Sequence, residues 1–166
     1  FAISSQVGIN EEQLCRGLST FKGVRRRFQL ILNSKKHILI DDYAHHPNEI
    51  NAVWNALKNL FPYDKKCVIF QPHLYSRTKD FMNQFAQALS KFDRVILLPI
   101  YPARESPIEG IKSSVLQRKI KSKNIVELVK RENLISVINN FPEKVKVILG
   151  AGDIGLEIQK IKEKLI

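Results

Sequence analysis

His37-Ile-Leu-Ile-Asp-Asp-Tyr-Ala-His-His-Pro47 is an apolar run that ends abruptly in two carboxylates, a phenol and two imidazoles. From Pro47 the period changes. Ile50, Val53, Trp54, Leu57 and Leu60 or Phe61 recur at helical spacing, and proline suits the first turn of a helix. A strand that runs through a polar loop into a helix is the repeating unit of open α/β sheets. Ligands of such sheets bind beyond the carboxyl ends of the strands.

Upstream, Phe28 to Leu32 and His37 to Ile40 are two β-prone runs separated by the polar turn Asn33 to Lys36, which predicts a hairpin. Downstream the strand–helix unit recurs. Cys67 to Phe70 reads as a buried strand, Gln71 to Thr78 as a polar loop, and Phe81, Phe85, Leu89 and Phe92 as a helical face. Val95 to Leu98 is another strand, running into the loop Pro99 to Gly110. The segment 113–141 is predicted helical with a short strand embedded. Val145 to Leu149 is the last strand; Gly150 to Gly155 turns it into a helix with Ile154, Ile158, Ile161 and Leu165 inward. Short, almost wholly apolar strands alternating with helices predict a doubly wound, mostly parallel sheet. The expected fold is therefore α/β and Rossmann-like, with helices on both faces and an antiparallel edge hairpin.

Residues 1–20 read differently. Asn10 lies three before Gln13, a helix-start pattern, with Leu14 and Leu18 on one face and a linker from Ser19 to Gly23. The chain opens at Phe1 without methionine or the features of a signal peptide, so a piece of something longer is expected.

The 166 residues are 44% hydrophobic, enough for one domain with a sizeable core. No apolar run approaches the ~20 residues that span a bilayer, so membrane insertion is not expected. Twenty-seven Lys and Arg against 16 Asp and Glu give a net charge of +11. A solvated basic surface explains most of it; an anionic partner, nucleic acid or polyphosphate, is the sharper reading. Lysines are strewn along the chain, and no aromatic-rich RNA-binding motif occurs. The two cysteines, Cys15 and Cys67, form no CxxC pair, which fits a reducing cytosolic setting with Cys67 as a small core residue.

Four stretches could carry chemistry. Asp41, Asp42, His45 and His46, with His73 from the next loop, could form a mixed carboxylate–imidazole metal site, although neighbouring histidines do not easily face one ion and no HExxH spacing occurs. Asp42 and His45 could instead cap the helix at Pro47, and an Asp at a strand end can accept hydrogen bonds from a ribose. His73 and Arg77 precede a predicted helix, where an arginine could meet a carboxylate or phosphate, or simply pair with Asp80. In Arg25-Arg26-Arg27, read as entering a strand, only Arg25 and Arg27 would share a face. Gly150-Ala-Gly-Asp-Ile-Gly155 matches GxGxxG in number, but it follows the last strand, and no GxxxxGK[ST] phosphate loop occurs.

Taken together, Phe21-Lys-Gly-Val-Arg-Arg-Arg-Phe-Gln29, Asp41-Asp-Tyr-Ala-His-His-Pro47, Phe70-Gln-Pro-His-Leu-Tyr-Ser-Arg-Thr78, Tyr101 to Gly110 and Gly150 to Ile154 resemble the C-terminal domain of the Mur ligases. The resemblance covers residues 21–155 in order, with residues 1–20 similar to the end of the family's central ATPase domain. It implies a cytoplasmic ligase that uses ATP and Mg2+ to build a peptidoglycan precursor. The phosphate loop and most of the metal site would then lie outside this chain, in other domains of the same polypeptide. Within the family it points to joining L-alanine to UDP-N-acetylmuramate. Tyr43 favours this over the branch that attaches a recycled tripeptide, which typically has Phe there. By motif position, Arg27 and Asp42 are expected to bind nucleotide. Tyr43, His45, His73 and Arg77 are expected on the amino-acid and acyl-phosphate side, with Gly152 and Asp153 in a loop closing over substrate. The chain departs from the pattern at Leu74, where many members carry Arg. A nucleic-acid-binding module is the alternative from another class, though no nucleic-acid partner is expected.

Overall fold

The computed structural model describes residues 2–121 and 125–166. Two helices, α1 (Ala2–Gln6) and α2 (Glu11–Thr20), precede the sheet. Asn10 caps α2 in a reciprocal box with Gln13, as the sequence predicts. Neither helix buries a residue, and α2 continues through the expected linker as far as Thr20.

The six strands are β1 (Gln29–Asn33), β2 (Ile38–Asp42), β3 (Lys66–Phe70), β4 (Arg94–Leu97), β5 (Ile125–Leu128) and β6 (Val145–Leu149). They lie in the order β1-β2-β6-β3-β4-β5; β1 and β2 form the expected antiparallel hairpin, and all other pairs are parallel. Between them run α3 (Pro47–Leu60), α4 (Tyr75–Asp80), α5 (Met82–Leu89), α6 (Ser113–Lys119) and α7 (Arg131–Val137), and α8 (Ile158–Leu165) follows β6.

The two faces of the sheet follow from the two-residue period of the strands. Ile40, Val68, Phe70, Val95, Val147 and Leu149 join Ile50, Val53 and Leu57 of α3, Phe85 and Leu89 of α5 and Leu116 of α6 in one core. Leu39, Cys67, Ile69, Ile96 and Ile148 face the other way, against Leu134 of α7 and Ile158, Ile161 and Leu165 of α8. Both faces are covered, so the strands are apolar almost throughout.

Strand β6 is inserted between β2 and β3, and this positions the site. The chains leaving β2 and β3 pass to the face covered by α3 and α5, whereas the chain leaving β6 passes to the face covered by α8. Neighbouring strands that send their loops to opposite faces leave a crevice at their carboxyl ends. Around the amino ends of β4 and β6, charged groups pair among themselves. Arg94 donates from Nε to Glu143 Oε2 (3.0 Å) and also pairs with Glu127, while Lys146, fully buried, donates to the Glu143 carbonyl (2.5 Å).

Several expectations are corrected. Strand β1 starts at Gln29, and Arg25 to Arg27 form a turn before it. Arg26 (φ 57°) and Phe28 (φ 45°) have left-handed backbones there, so no strand alternation governs the three arginines. His46, rather than Asp42 or His45, caps α3: its Nδ1 accepts from Asn48 N (3.3 Å), while Glu49 accepts from the N–H groups of His45 and His46. Phe61, not Leu60, packs on the core at the end of that helix. Gln71 to Thr78 is not all loop, because α4 begins at Tyr75 and carries Arg77. The segment 113–141 does contain a strand between helices; of it, residues 122–124 lie outside the described residues.

Candidate active site at the carboxyl ends of the strands

Three loops converge at the crevice: residues 43–46 after β2, 71–74 after β3 and 150–153 after β6. The loop after β4 joins them through Tyr101. Tyr101 N donates to the Pro72 carbonyl (2.8 Å) and Leu74 N donates to the Tyr101 carbonyl (2.9 Å), a short parallel bridge beyond the sheet. Glu105 ties the same loop down by accepting from Ser76 N (2.9 Å) and the Ser76 hydroxyl, and those bonds hold its carboxyl below the usual range.

The convergence builds a row of rings. The Arg26 guanidinium lies over Tyr43 (4.9 Å to the ring centroid), Tyr43 meets His45 edge-on (5.6 Å), His45 lies 6.0 Å from His73, and His73 stacks on Tyr101 (5.5 Å). Arg77, one helical turn after His73, donates from Nη1 to His73 Nδ1 (3.3 Å), not to Asp80. Burial, then the charge of Arg77 and His45, holds His73 below the ordinary imidazole value, against the opposite pull of Glu105. Four expected substrate-side residues, Tyr43, His45, His73 and Arg77, thus come together.

The two adjacent aspartates diverge because successive strand residues face opposite sides of the sheet. Asp41, almost fully buried, pairs with Arg26 (Nε to Oδ2, 3.1 Å), and its Oδ1 has no hydrogen-bond partner. Burial pushes its carboxyl above the ordinary range even with Arg26 beside it. Asp42 accepts from Phe28 N at Oδ2 (2.7 Å) and from Ala44 N at Oδ1 (2.8 Å), so it shapes the turn from which Tyr43 and His45 project. Arg27 is exposed and makes no side-chain hydrogen bond or ion pair with the described residues. His46 turns away to pack on Phe81 (ring centroids 4.6 Å). The mixed metal site considered from sequence therefore does not assemble: among the described residues no three His, Cys, Asp or Glu side chains are placed to hold an ion.

Gly152 and Asp153 lie on the far side of the crevice. Asp153 accepts from Gln71 Nε2 at Oδ1 (2.7 Å) and from Arg131 Nη1 at Oδ2 (2.5 Å). The Gln71 amide oxygen accepts from Ile154 N (3.0 Å), so Gln71 clamps the β6 loop to β3. Between Arg25, Tyr101 and Gly152 lies a cleft of about 380 Å3. A cavity of about 460 Å3 between β4 and β5, lined by Leu97, Ile100, Ile111 and Leu128, is more apolar and contains none of the expected site residues. Sequence reasoning assigned no role to Arg26, Gln71, Tyr101 or Arg131. Gln71 and Tyr101 stand inside the quoted motifs, the available signal; Arg131 carries none.

A doubly wound sheet with basic and imidazole groups gathered at its switch point defines the class of open α/β domains with a polar crevice beyond the strand ends, and the family comparison narrows it. The model described as "Mur ligase, glutamate ligase domain" matches residues 26–153, and this chain belongs to that family. The chain is 49% identical over 164 residues to the UDP-N-acetylmuramate–L-alanine ligase of Flavobacterium psychrophilum, covering 99% of itself and 36% of that relative. The chain thus spans about a third of the relative's length. A solved UDP-N-acetylmuramate–alanine ligase from Thermotoga maritima superposes with a TM-score of 0.80 at 28% identity, over 99% of this chain and 35% of that one. MurF ligase from the same organism, solved in complex with ADP, shares the fold (TM-score 0.62, 20% identity, 98% of this chain and 35% of that one).

Proposed function

We propose that this chain is the C-terminal domain of an ATP-dependent ligase that joins L-alanine to UDP-N-acetylmuramate in the cytoplasm. In this reading residues 1–20 end the preceding ATPase domain, and residues 21–166 form the domain that closes over it. The observation that carries it is the assembly of Tyr43, His45, His73 and Arg77 at the switch point of a chain 49% identical to a ligase of that name.

The muramate carboxylate attacks the γ-phosphorus of ATP, giving an acyl phosphate and ADP. The amine of L-alanine then attacks the acyl carbon, the C–N bond forms, and the C–O bond to phosphate breaks. Arg77 offers a fork of donors to the L-alanine carboxylate, and His73 steadies it by accepting from Nη1. Arg27, without an ion-pair partner of its own, faces the nucleotide phosphates, and Asp42 holds the turn that presents both sides. The Gly152–Asp153 loop, fixed by Gln71 and Arg131, borders the substrate. ATP, acyl phosphate and UDP-sugar are all anionic, so the excess of positive charge draws them in and offsets charge that develops in the transition state. In this reading the Mg2+ that such a ligase uses is held mainly by parts of the full polypeptide outside this chain, together with the nucleotide phosphates. Among these residues no helix is long and apolar enough to cross a membrane.

The test is ADP release by the full polypeptide. It should require UDP-N-acetylmuramate and L-alanine together, with no turnover when a tripeptide replaces L-alanine. Turnover with the tripeptide alone moves the protein to the recycling branch, and turnover with neither removes the ligase reading.

A further inference from the structure

The two histidines that face each other across the crevice are held in opposite tautomers by their partners. The Tyr43 carbonyl can only accept, and it lies 2.9 Å from His45 Nδ1, so that nitrogen carries the proton. The Glu49 carboxylate stands 3.5 Å from the same Nδ1. His45 Nε2, on the far side of the ring, has no hydrogen-bond partner among the described residues and presents a lone pair. At His73 the order is reversed. The Arg77 guanidinium can only donate, so His73 Nδ1 accepts, and the neutral ring carries its proton on Nε2.

An α-amino acid enters as a zwitterion, with an ammonium and a carboxylate on one carbon. The crevice offers a lone pair from one ring and an N–H with a guanidinium from the other, the ring centroids being 6.0 Å apart. From this pairing we infer that His45 is the catalytic base of amide formation, with Glu49 as its positioning residue. The inference rests on the ligase reading above and deepens it. His45 Nε2 takes one proton from the ammonium. The freed lone pair forms the C–N bond to the acyl carbon, the C–O bond to phosphate breaks, and the second nitrogen-bound proton leaves with the phosphate. His45 then returns its proton to solvent. His73 cannot serve as the base, because its only lone pair is occupied by Arg77.

The arrangement of Glu49 supports this. It accepts from the backbone N–H groups of His45 (2.8 Å) and His46 (3.0 Å), which fixes it at the start of α3 beside the ring. Burial works to raise its carboxyl, yet those bonds and the neighbouring His45 and Arg27 hold it below the usual range and therefore ionised. A carboxylate held next to Nδ1 orients an imidazole and stabilises it once Nε2 gains a proton.

The experiment compares two nucleophiles in the full polypeptide: L-alanine, which must lose a proton, and hydroxylamine, whose nitrogen is already unprotonated at neutral pH. His45→Asn keeps an N–H for the Tyr43 carbonyl but has no proton acceptor at the Nε2 position. With L-alanine it should lower kcat by roughly a hundredfold with little change in KM; hydroxamate formation from hydroxylamine should fall by no more than about threefold. Glu49→Gln should lower kcat with L-alanine by about tenfold and likewise spare hydroxylamine. Equal losses with both nucleophiles, or no loss with L-alanine, overturn the base assignment while leaving the ligase reading intact. A wild-type polypeptide that makes no amide from L-alanine overturns both.

Discussion

Arg26 Nη2 donates to the carbonyl of Gly150 at 2.6 Å, joining the turn before the first strand to the loop after the last. Its Nε pairs with Asp41, and its plane covers Tyr43. One guanidinium therefore fixes both sides of the crevice between β2 and β6. Gly155 leaves room for it, since a β carbon there would come within 2.7 Å of the guanidinium.

Arg26→Ala leaves the Asp41 carboxylate buried without its cation. Removing one partner of such a pair is strongly destabilising, and a loss of about 3 kcal/mol is expected. Urea denaturation measures it, and a loss under ~1 kcal/mol would mean that Asp41 finds another partner or takes up a proton.

Gly152→Ala tests the packing of the β6 loop. A β carbon there would lie 2.5 Å from the Gln71 amide oxygen and 2.6 Å from Tyr101 Cγ. Gln71 is held by Asp153 and Ile154, and Tyr101 by its stack on His73, so neither yields freely. The variant should lose about 1–3 kcal/mol by overpacking. In the full polypeptide its kcat/KM for L-alanine should fall more than its KM for ATP changes.

Asp42→Ala removes the acceptor for two backbone N–H groups, those of Phe28 and Ala44. A loss of about 2–4 kcal/mol is expected, with Asp42→Asn recovering part of it. A weaker KM for ATP in the full polypeptide should accompany the stability loss. An alanine variant as stable as wild type would refute the structural half of its role.

Arg77→Ala should raise KM for L-alanine by roughly ten- to hundredfold, the worth of a charge-assisted hydrogen bond, without changing KM for the UDP-sugar. Steady-state kinetics on the full polypeptide decide it, and equal effects on both substrates would place Arg77 outside the amino-acid site.

Acid should destabilise the fold through two histidines. Burial and Arg77 lower His73, against Glu105; burial, Lys146 and Lys36 lower His37. Each binds its proton more readily in the unfolded chain, so stability is full above the ordinary value of 6.5 and falls as pH drops below it. The urea midpoint should decrease between about pH 7.5 and 5.5, and replacing both histidines with Gln should flatten the change. An unchanged slope in the double variant would assign the effect elsewhere.

The strands, the hairpin, the apolar faces of α3, α5 and α8 and the α/β class could be read along the chain, because short apolar runs bounded by polar turns and the 3.6-residue helical period are local properties. Local chemistry also misleads in places. Asp42 and His45 suit a helix cap in composition, yet His46 stands at the residue before Pro47 and takes that role with Glu49. Three consecutive arginines look alike in the sequence, but the left-handed backbone at Arg26 turns one inward and leaves Arg25 and Arg27 exposed.

Which residue types stand at the strand ends is written in the chain: carboxylates and imidazoles after β2, His73 and Arg77 after β3, glycines after β6. Which of those ends meet depends on the packed sheet. Insertion of β6 between β2 and β3 brings Gly150 to Arg26 and Asp153 to Gln71, and the bridge beyond β3 and β4 lays Tyr101 on His73. Such pairings join residues as many as 124 apart in the chain. They arise from burying both faces of one sheet, which no local period encodes.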